Sequence, residues 1–215
     1  MKLGIFGATG KTGLLLVAQA LEQGHDVVAV VRSPEKLAAF SGRIKVVTAQ
    51  LTDGPVIAAA IADCDAVLLA LGTVDRKPNT VLSEGTRRII DAMREAGCRR
   101  LVAITSLGCG DSLAKVKPWL FRELIVKRLA KEIWADKDRQ EAIIQSSNLD
   151  YTILRPGGLA DEQGAPAYQL LEQSVDVPKS PRLKRSDLAE QLLNMVADTG
   201  TVGKIYTIVG AEITS

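Results

Sequence analysis

The sequence predicts an α/β fold built on a doubly wound parallel sheet. Short apolar segments alternate with longer helical segments along the 215 residues, which is typical of strands joined by helical crossovers. Aliphatic residues dominate and aromatic residues make up only 4%, as expected for a buried parallel sheet covered by helices. A glycine-rich turn directly follows the first apolar segment. We therefore expect a single domain over residues 1–215, with a small C-terminal extension on the substrate side.

The order of the elements follows from the apolar runs and their boundary residues. Gly24 and Gly97 are expected helix stops, and Ser33 is the expected N-cap of a short helix with Pro34 at its first position. The expected strands cover residues 2–6, 26–31, 45–47, 66–71, 101–105, 151–154 and 204–209. The expected helices cover residues 10–23, 34–37, 54–63, 80–96, 119–147 and 186–197, and the expected loops cover residues 108–118 and 155–168. Ligands of such a sheet bind beyond the C-terminal strand ends.

Charge and cysteine content exclude several classes of protein. A formal net charge of +2 gives no reason to expect a nucleic-acid partner. Cys64, Cys98 and Cys109 are far apart and contain no C-x-x-C pair, which predicts reduced thiols, no disulfide and no metal site. No apolar run approaches ~20 residues, so no membrane span is expected. Because the N-terminus enters a strand directly, we expect no signal peptide and a cytoplasmic location.

The stretch GATGKTG at residues 7–13 is compatible with two phosphate-binding motifs, both of which place a phosphate at a helix N-terminus. The ATPase loop G-x-x-x-x-G-K-[ST] would need glycine at position 5, where Ile5 lies inside the first predicted strand. The dinucleotide motif fits, because Gly7 allows a tight turn, Gly10 lets the backbone approach a pyrophosphate and Gly13 allows close helix–strand packing. The residues expected to face the pyrophosphate are Gly7, Thr9, Gly10, Lys11, Thr12 and Gly13.

The end of the second predicted strand indicates which dinucleotide binds. Enzymes that use NAD commonly carry an acidic residue there, which binds the ribose hydroxyls. Here Arg32 occupies that position, 19 residues after Gly13. A guanidinium favours a 2′-phosphate through charge-assisted hydrogen bonds, and Lys36 adds charge from the next helical turn. The alternative is a solvated arginine at a strand end. We predict NADP(H) rather than NAD(H).

Six segments carry a resemblance to a known family. They are GATGKTG, VVRSPEKL, LLALGT, SEGTRRIIDAMREAGCRRLVAITSLG, LDYTILRPGG and RSDLAEQLL. Together they resemble the short-chain dehydrogenase/reductase superfamily, a group with the Rossmann fold, in its atypical NAD(P)H-binding branch. Within that branch the chain is similar to the biliverdin-IXβ reductase/flavin reductase group, which implies NADPH-dependent reduction of flavins or linear tetrapyrroles. The chain is also similar to NmrA-like groups that bind NADP without clear catalysis.

The resemblance implies positions for the rest of the cofactor. Its expected contacts are Arg32, Ser33 and Lys36 at the 2′-phosphate, Leu51 and Asp53 at the adenine, Leu71, Gly72 and Thr73 at the ribose and pyrophosphate, and Thr105, Pro156, Gly157 and Gly158 towards the nicotinamide. The adenine pattern of the family begins with an aspartate, and Gln50 replaces it here. The flavin reductase group often has a histidine where this chain has Gly157. That difference weakens the case for biliverdin as the substrate.

The resemblance also implies a catalytic pair, Ser106 and Lys137. Most members of the superfamily add a tyrosine four residues before the lysine, and Ile133 stands there instead. A ketone needs a proton as hydride arrives, whereas a conjugated acceptor spreads the incoming charge over its ring system. The chain is therefore predicted to reduce a flavin, a linear tetrapyrrole or a quinone. Alternatively, Ser106 only bonds backbone at a strand end, and Lys137 is only a solvated charge.

These expectations leave two hypotheses about function. The first is an NADPH-dependent reductase that acts on a small conjugated molecule as a monomer or weak homodimer. The second is a redox-sensing or assembly protein that binds NADP(H) without catalysis, an alternative raised by the incomplete catalytic set. The helix over residues 119–147 either packs on the sheet and roofs the substrate cleft or offers a membrane or partner face. If it roofs the cleft, Trp119 and Phe121 are candidates for stacking on a flat substrate.

Overall fold

The structure is a computed structural model, and it describes residues 1–73, 80–115, 131–162, 167–172 and 182–211. The strands are β1 (Lys2–Phe6), β2 (Asp26–Val31), β3 (Lys45–Thr48), β4 (Ala66–Leu69), β5 (Arg100–Ile104), β6 (Asp150–Pro156), β7 (Leu159–Ala160), β8 (Tyr168–Glu172), β9 (Leu183–Lys184) and β10 (Lys204–Gly210). The helices are α1 (Lys11–Glu22), α2 (Gly54–Ile61), α3 (Val81–Ala96), α4 (Ser112–Lys115), α5 (Lys131–Gln145) and α6 (Arg185–Ala197), with 3-10 helices over Glu35–Phe40 and Thr199–Thr201.

Eight strands form one sheet in the order β3-β2-β1-β4-β5-β6-β10-β8. All neighbours are parallel except β8, which runs antiparallel to β10, and β7 pairs with β9 in a separate two-stranded sheet. The chain winds outwards from β1 in both directions, so β1 and β4 flank the point where the strand order reverses. The predicted doubly wound α/β fold is confirmed, and its reversal point is where such sheets bind ligands.

Helices cover both faces of the sheet. Helices α1 and α6 pack together on one face, while α2 packs on α3 and α3 on α5 across the other. The β1 side chains alternate between the two cores, with Leu3 and Ile5 facing α1 and α6 and Phe6 facing the opposite layer. Because successive residues of a strand point to opposite faces, a strand buried on both faces is apolar throughout. In the described part of the chain, every helix is too short or too polar to span a bilayer.

The helix boundaries follow local chemistry in most places. Both predicted glycine stops adopt positive φ angles, +76° at Gly24 and +73° at Gly97. The start of α3 depends instead on a distant residue: Leu82 N–H donates to the buried carboxylate of Asp136 at 2.8 Å. The prediction that Ser33 caps the short helix is wrong, because Pro34 is the N-cap residue of that 3-10 helix and no side chain caps the helix.

Two loop predictions need correction. Residues 155–168 are not all loop, because β6 continues through Pro156 and pairs with β10 as far as Ile208. The same range contains β7 and the first residue of β8. Within 108–118, residues Ser112–Lys115 form α4. The predicted helix over 119–147 is described from residue 131 onwards, and Lys131–Gln145 of it are helical, as α5. The proposed stacking residues Trp119 and Phe121 lie outside the described residues.

Candidate functional site

A continuous cleft of about 840 Å³ lies along the C-terminal ends of the parallel strands. It extends from Arg32 after β2, across the glycine turn after β1, to Ser106 after β5 and Pro156 at the end of β6. Both predicted catalytic residues, Ser106 and Lys137, line it. So do thirteen of the predicted cofactor contacts: Gly7, Thr9, Gly10, Lys11, Thr12, Arg32, Leu51, Leu71, Gly72, Thr73, Thr105, Pro156 and Gly157. The cleft therefore brings together residues from almost the whole length of the chain.

The glycine turn is built in a way that only glycine permits. Gly7 has a φ of +81°, and a Cβ there would lie 2.4 Å from the Ala70 carbonyl oxygen. A Cβ on Gly13 would lie 2.1 Å from the Gly7 oxygen, so α1 packs directly against the turn, as the motif predicts. Gly13 itself does not line the cleft; its role is to bring the start of the helix close.

The first residue of α1 faces the cleft next to this turn. Gly10 is the N-cap residue and no side chain caps the helix, so the first N–H groups of α1 remain available to a ligand, and the helix dipole favours an anion there. Lys11 lines the cleft, and its ammonium lies 2.6 Å from a carboxylate oxygen of Asp161. Arg185, at the start of α6, pairs with the same carboxylate.

The β2 end of the cleft carries Arg32. Its side chain is exposed, and no ion pair or hydrogen bond involves it within the described ranges. Its guanidinium therefore keeps its donors for a ligand. Ser33 and Lys36 are exposed nearby, but they do not line the cleft.

Apolar side chains narrow the cleft between its two ends. Leu51 packs so close to α3 that a Cβ on Gly85 would lie 2.6 Å from its Cδ1, and Leu71 Cδ1 lies 3.6 Å from the same point. Leu51 therefore lies in the cleft wall, and its contact with the adenine stays a prediction. Asp53 itself does not line the cleft; its carboxylate accepts the Gln50 N–H at 2.8 Å and so closes the turn that presents Gln50, Leu51 and Thr52 to the cleft.

The opposite end of the cleft holds Ser106 and Lys137. The Lys137 ammonium donates to the Thr105 carbonyl at 3.0 Å, and burial lowers the pKa of Lys137. Lys137 is therefore not a solvated surface charge. Ser106 lines the cleft, and no hydrogen bond of its hydroxyl is found among the described residues. Both side chains are available to a bound molecule.

A buried charge network supports this end of the cleft from behind. The Arg155 guanidinium donates to both carboxylate oxygens of Glu141, with Nε at 3.1 Å from Oε2, and to Asp111 at 2.7 Å. Thr105 Oγ1 donates to the same Glu141 oxygen at 2.9 Å. The Thr105 hydroxyl therefore faces the network, while its carbonyl receives Lys137. The cofactor contact expected for Thr105 stays a prediction, and the Thr105 hydroxyl is already used within the network.

Sequence reasoning missed most of this network. The sequence pattern assigns no role to Glu141 and predicts a loop at Arg155. The spacing of Lys137 and Glu141 on one helical face was the available signal. Gly158, the last predicted nicotinamide contact, also lies outside the cleft lining, because its carbonyl accepts the Leu183 N–H at 2.8 Å and joins β7 to β9.

The cleft contains no phenol and no reactive thiol. The chain has three tyrosines: Tyr151, Tyr168 and Tyr206 all lie in described strands, and none lines the cleft. Cys109 is fully buried, and burial raises its pKa to about 12, which makes it a poor nucleophile. In the described ranges, no three acidic, cysteine or histidine side chains come together as metal ligands.

Fold and cleft together define a dinucleotide-binding protein of the Rossmann type. The glycine cradle that a Cβ would fill, the uncapped start of α1 and the arginine after β2 fit the pyrophosphate and the 2′-phosphate of a nicotinamide dinucleotide. Comparison with protein families agrees: a family model for NAD(P)H-binding proteins matches residues 7–199. The chain belongs to this NAD(P)H-binding family, as the sequence predicted.

Individual relatives cover nearly the whole chain. The UPF0659 protein C216.03 of Schizosaccharomyces pombe is 30% identical over 97% of this chain and 90% of its own length. The oxidoreductase ptaF of Pestalotiopsis fici is 27% identical over 90% of this chain and 78% of its own. Among solved structures, ChuY from Escherichia coli O157:H7, described as an anaerobillin reductase, has a TM-score of 0.79 at 26% identity, with 100% of both chains covered.

Proposed function

We propose that the protein is an NADPH-dependent oxidoreductase that transfers hydride to a conjugated acceptor such as a flavin, a linear tetrapyrrole or a quinone. The observation that carries the proposal is the composition of the cleft beside Ser106. Lys137 and Ser106 lie there together, and no tyrosine lines the cleft. A site without a phenol suits an acceptor that delocalises the incoming electron pair and does not depend on a strong acid.

The residues at the Ser106 end of the cleft have distinct roles in the proposed reaction. A bound NADPH would supply the hydride, which carries two electrons and one proton. The Thr105 carbonyl engages one of the three Lys137 N–H donors, which holds the ammonium in place and leaves the others for the acceptor. Because burial lowers the Lys137 pKa, the ammonium gives up a proton more readily than a solvated lysine does. It would donate the second proton of the reduction and regain it from water.

Two relatives support the reductase class. One is an oxidoreductase of Pestalotiopsis fici, and the other is ChuY, an anaerobillin reductase whose whole chain superposes on this one. Both are distant in sequence, so the acceptor has to be identified by experiment. The absence of a phenol from the cleft supports a flat, conjugated molecule as that acceptor.

Turnover tests the proposal directly. Purified protein is mixed with NADPH and one of FMN, riboflavin, biliverdin or a soluble quinone, and oxidation of the nicotinamide is followed by absorbance. We expect turnover with at least one acceptor, and a loss of about 10²-fold or more in kcat for Lys137→Met if the lysine acts as the general acid. Tight NADPH binding without turnover of any acceptor would overturn the proposal.

The preference for NADPH has a separate test in Arg32. Arg32→Ala should weaken NADPH binding by about 1.5–3 kcal/mol, the range for hydrogen bonds to charged groups, and should leave NADH binding nearly unchanged. Arg43→Ala is the control, because Arg43 is equally exposed and does not line the cleft. Equal losses for the two dinucleotides on Arg32→Ala would refute a 2′-phosphate contact.

The absence of tyrosine from the cleft also favours a second candidate, a protein that binds NADP(H) as a sensor without catalysis. In that case Lys137 and Ser106 hold only the ribose and the nicotinamide. The two candidates differ in one measurement. If the protein is a sensor, the wild type shows no acceptor-dependent turnover, and Lys137→Met weakens only NADPH binding.

A further inference from the structure

The cleft carries a surplus of positive charge. Among the described residues that line it, five are cations and one is an anion: Lys11, Arg32, Arg88, Lys137 and Arg185 against Glu84. Glu84 is moreover offset by Arg87, whose guanidinium lies 3.8 Å away. A cleft lined by one sign of charge attracts ligands of the opposite sign. A dinucleotide accounts for only part of this surplus.

Under the proposed function, Arg32 and the backbone N–H groups at the start of α1 meet the phosphates of the cofactor, the Lys11 ammonium stays with Asp161, and Lys137 is held by Thr105. Arg88 on α3 and Arg185 have no such assignment, and Arg185 is the one that also contacts an anion in the structure. It begins α6 and lines the cleft together with Leu188, one turn later in that helix, and with Leu159 of β7. These residues lie beside Pro156 and Gly157, on the side of the cleft expected to hold the nicotinamide and the acceptor. Arg185 is thus a cation next to an apolar wall.

The geometry around Asp161 shows that an anion fits at this place. Its carboxylate bridges two cations that are far apart in sequence, Lys11 at 2.6 Å and Arg185 through a short hydrogen bond. The hydrogen bond from Lys11 and the charge of Arg185 lower the pKa of Asp161. The carboxylate is 57% exposed, so a ligand can displace it without unfolding any element. Together the three side chains carry a net charge of +1.

We propose that the acceptor carries a phosphate or carboxylate group, and that this group binds between Arg185 and Lys11 in place of Asp161 while the conjugated ring lies against Leu159 and Leu188. This inference rests on the proposed function for the identity of the ring. The anion subsite itself is a property of the three charged residues, and binding can test it without turnover.

FMN and riboflavin provide the test, because they share the ring and differ by one phosphate. Protein saturated with NADP⁺ is titrated into each flavin, and binding is followed by quenching of flavin fluorescence. FMN should bind about 10- to 100-fold more tightly than riboflavin, as expected for a charge-assisted contact. Arg185→Gln should remove most of this difference. The control Arg182→Gln removes the same charge from an exposed residue that does not line the cleft and should preserve the difference.

Further variants separate the remaining explanations. Asp161→Asn frees both cations and should tighten FMN binding several-fold while riboflavin binding stays the same. Biliverdin and its dimethyl ester repeat the comparison for carboxylates. A loss of NADP⁺ affinity on Arg185→Gln as large as the loss of FMN affinity would assign Arg185 to the cofactor and overturn the subsite. The subsite would also be overturned if FMN bound no more tightly than riboflavin and biliverdin no more tightly than its dimethyl ester, or if none of the four bound. Preferential binding of FMN without NADPH oxidation would refute only the reductase activity.

Discussion

Glu141 and Arg155 form a bidentate ion pair inside the protein, each only 2% exposed. The pair joins α5 to β6, and Thr105 at the end of β5 hydrogen-bonds to the same carboxylate. Gly110 packs against it so closely that a Cβ there would lie 2.7 Å from an Arg155 nitrogen. The three segments that carry Ser106, Lys137 and Pro156, namely the end of β5, α5 and β6, are therefore held together by one shared set of charges.

Breaking this ion pair should destabilise the fold. Glu141→Gln leaves the buried Arg155 guanidinium with only the exposed Asp111 as a charged partner, and breaking a buried pair typically costs about 3–5 kcal/mol. Urea unfolding followed by circular dichroism measures the loss. Asp91→Asn is the matched control, since the Asp91–Arg94 pair is largely exposed and should change stability by less than about 1 kcal/mol. Similar losses in the two variants would contradict the structural role of the pair.

Gly13→Ala should damage both stability and cofactor binding. The new Cβ would lie 2.1 Å from the Gly7 oxygen and 2.8 Å from Ala8 Cα, and backbone atoms cannot rotate away. Overpacking of this kind costs about 1–3 kcal/mol or more. Thermal unfolding and NADPH titration provide the readouts. Gly54→Ala is the control, because no atom lies within 4 Å of its added Cβ. If Gly13→Ala were as benign as Gly54→Ala, the close helix–turn contact would be wrong.

The thiols should be unreactive in the native protein. Burial raises the pKa of Cys98 to about 11 and that of Cys109 to about 12, and it also raises the pKa of Cys64. Because the thiolate is the reactive form, a chromogenic disulfide reagent at pH ~8 should modify none of the three within minutes. All three should react after denaturation. Fast modification of any one thiol in the native protein would show that its surroundings are more open than described.

Lys137 should make stability depend on pH in a defined direction. Its folded pKa lies below the ordinary value of 10.5 because of burial, so between those two values the unfolded chain binds more protons than the native one. The free energy of unfolding contributed by this group therefore rises as pH increases through that interval. Lys137→Met lacks the group, so the wild type should gain stability relative to the variant at alkaline pH. A difference that stays constant with pH would contradict the buried ammonium.

The sequence predicts those parts of the site that depend on local structure. Gly7 and Gly13 could be assigned because a tight turn between a strand and a helix requires glycine at fixed spacing. Arg32 could be placed because it follows a strand whose apolar run ends clearly. Lys36 was assigned from its place one helical turn after Arg32 and Asp53 from the family pattern, and neither lines the cleft. The Asp53 carboxylate closes its own turn with Gln50, an interaction that the family pattern does not encode.

Other features could not be predicted because they arise between segments far apart in the chain. Asp136 accepts the N–H of Leu82, which lies 54 residues earlier, and Asp161 reaches Lys11 across 150 residues. Neither contact leaves a periodic signal. Strand β8 was missed for a related reason. All five residues of YQLLE are exposed or half-buried, so the segment lacks the apolar run that marks the inner strands.

The position of β10 between β6 and β8 has a consequence for the growing chain. Tyr168–Glu172 is synthesised before Lys204–Gly210, yet β10 is the strand to which it pairs. Until β10 leaves the ribosome, the nascent protein has an unpaired edge on β6 and a detached strand carrying the exposed Leu170. Open edges of this kind invite aggregation. Protein truncated before residue 204 should accumulate as insoluble material, although the glycine turn and Arg32 are already complete in it.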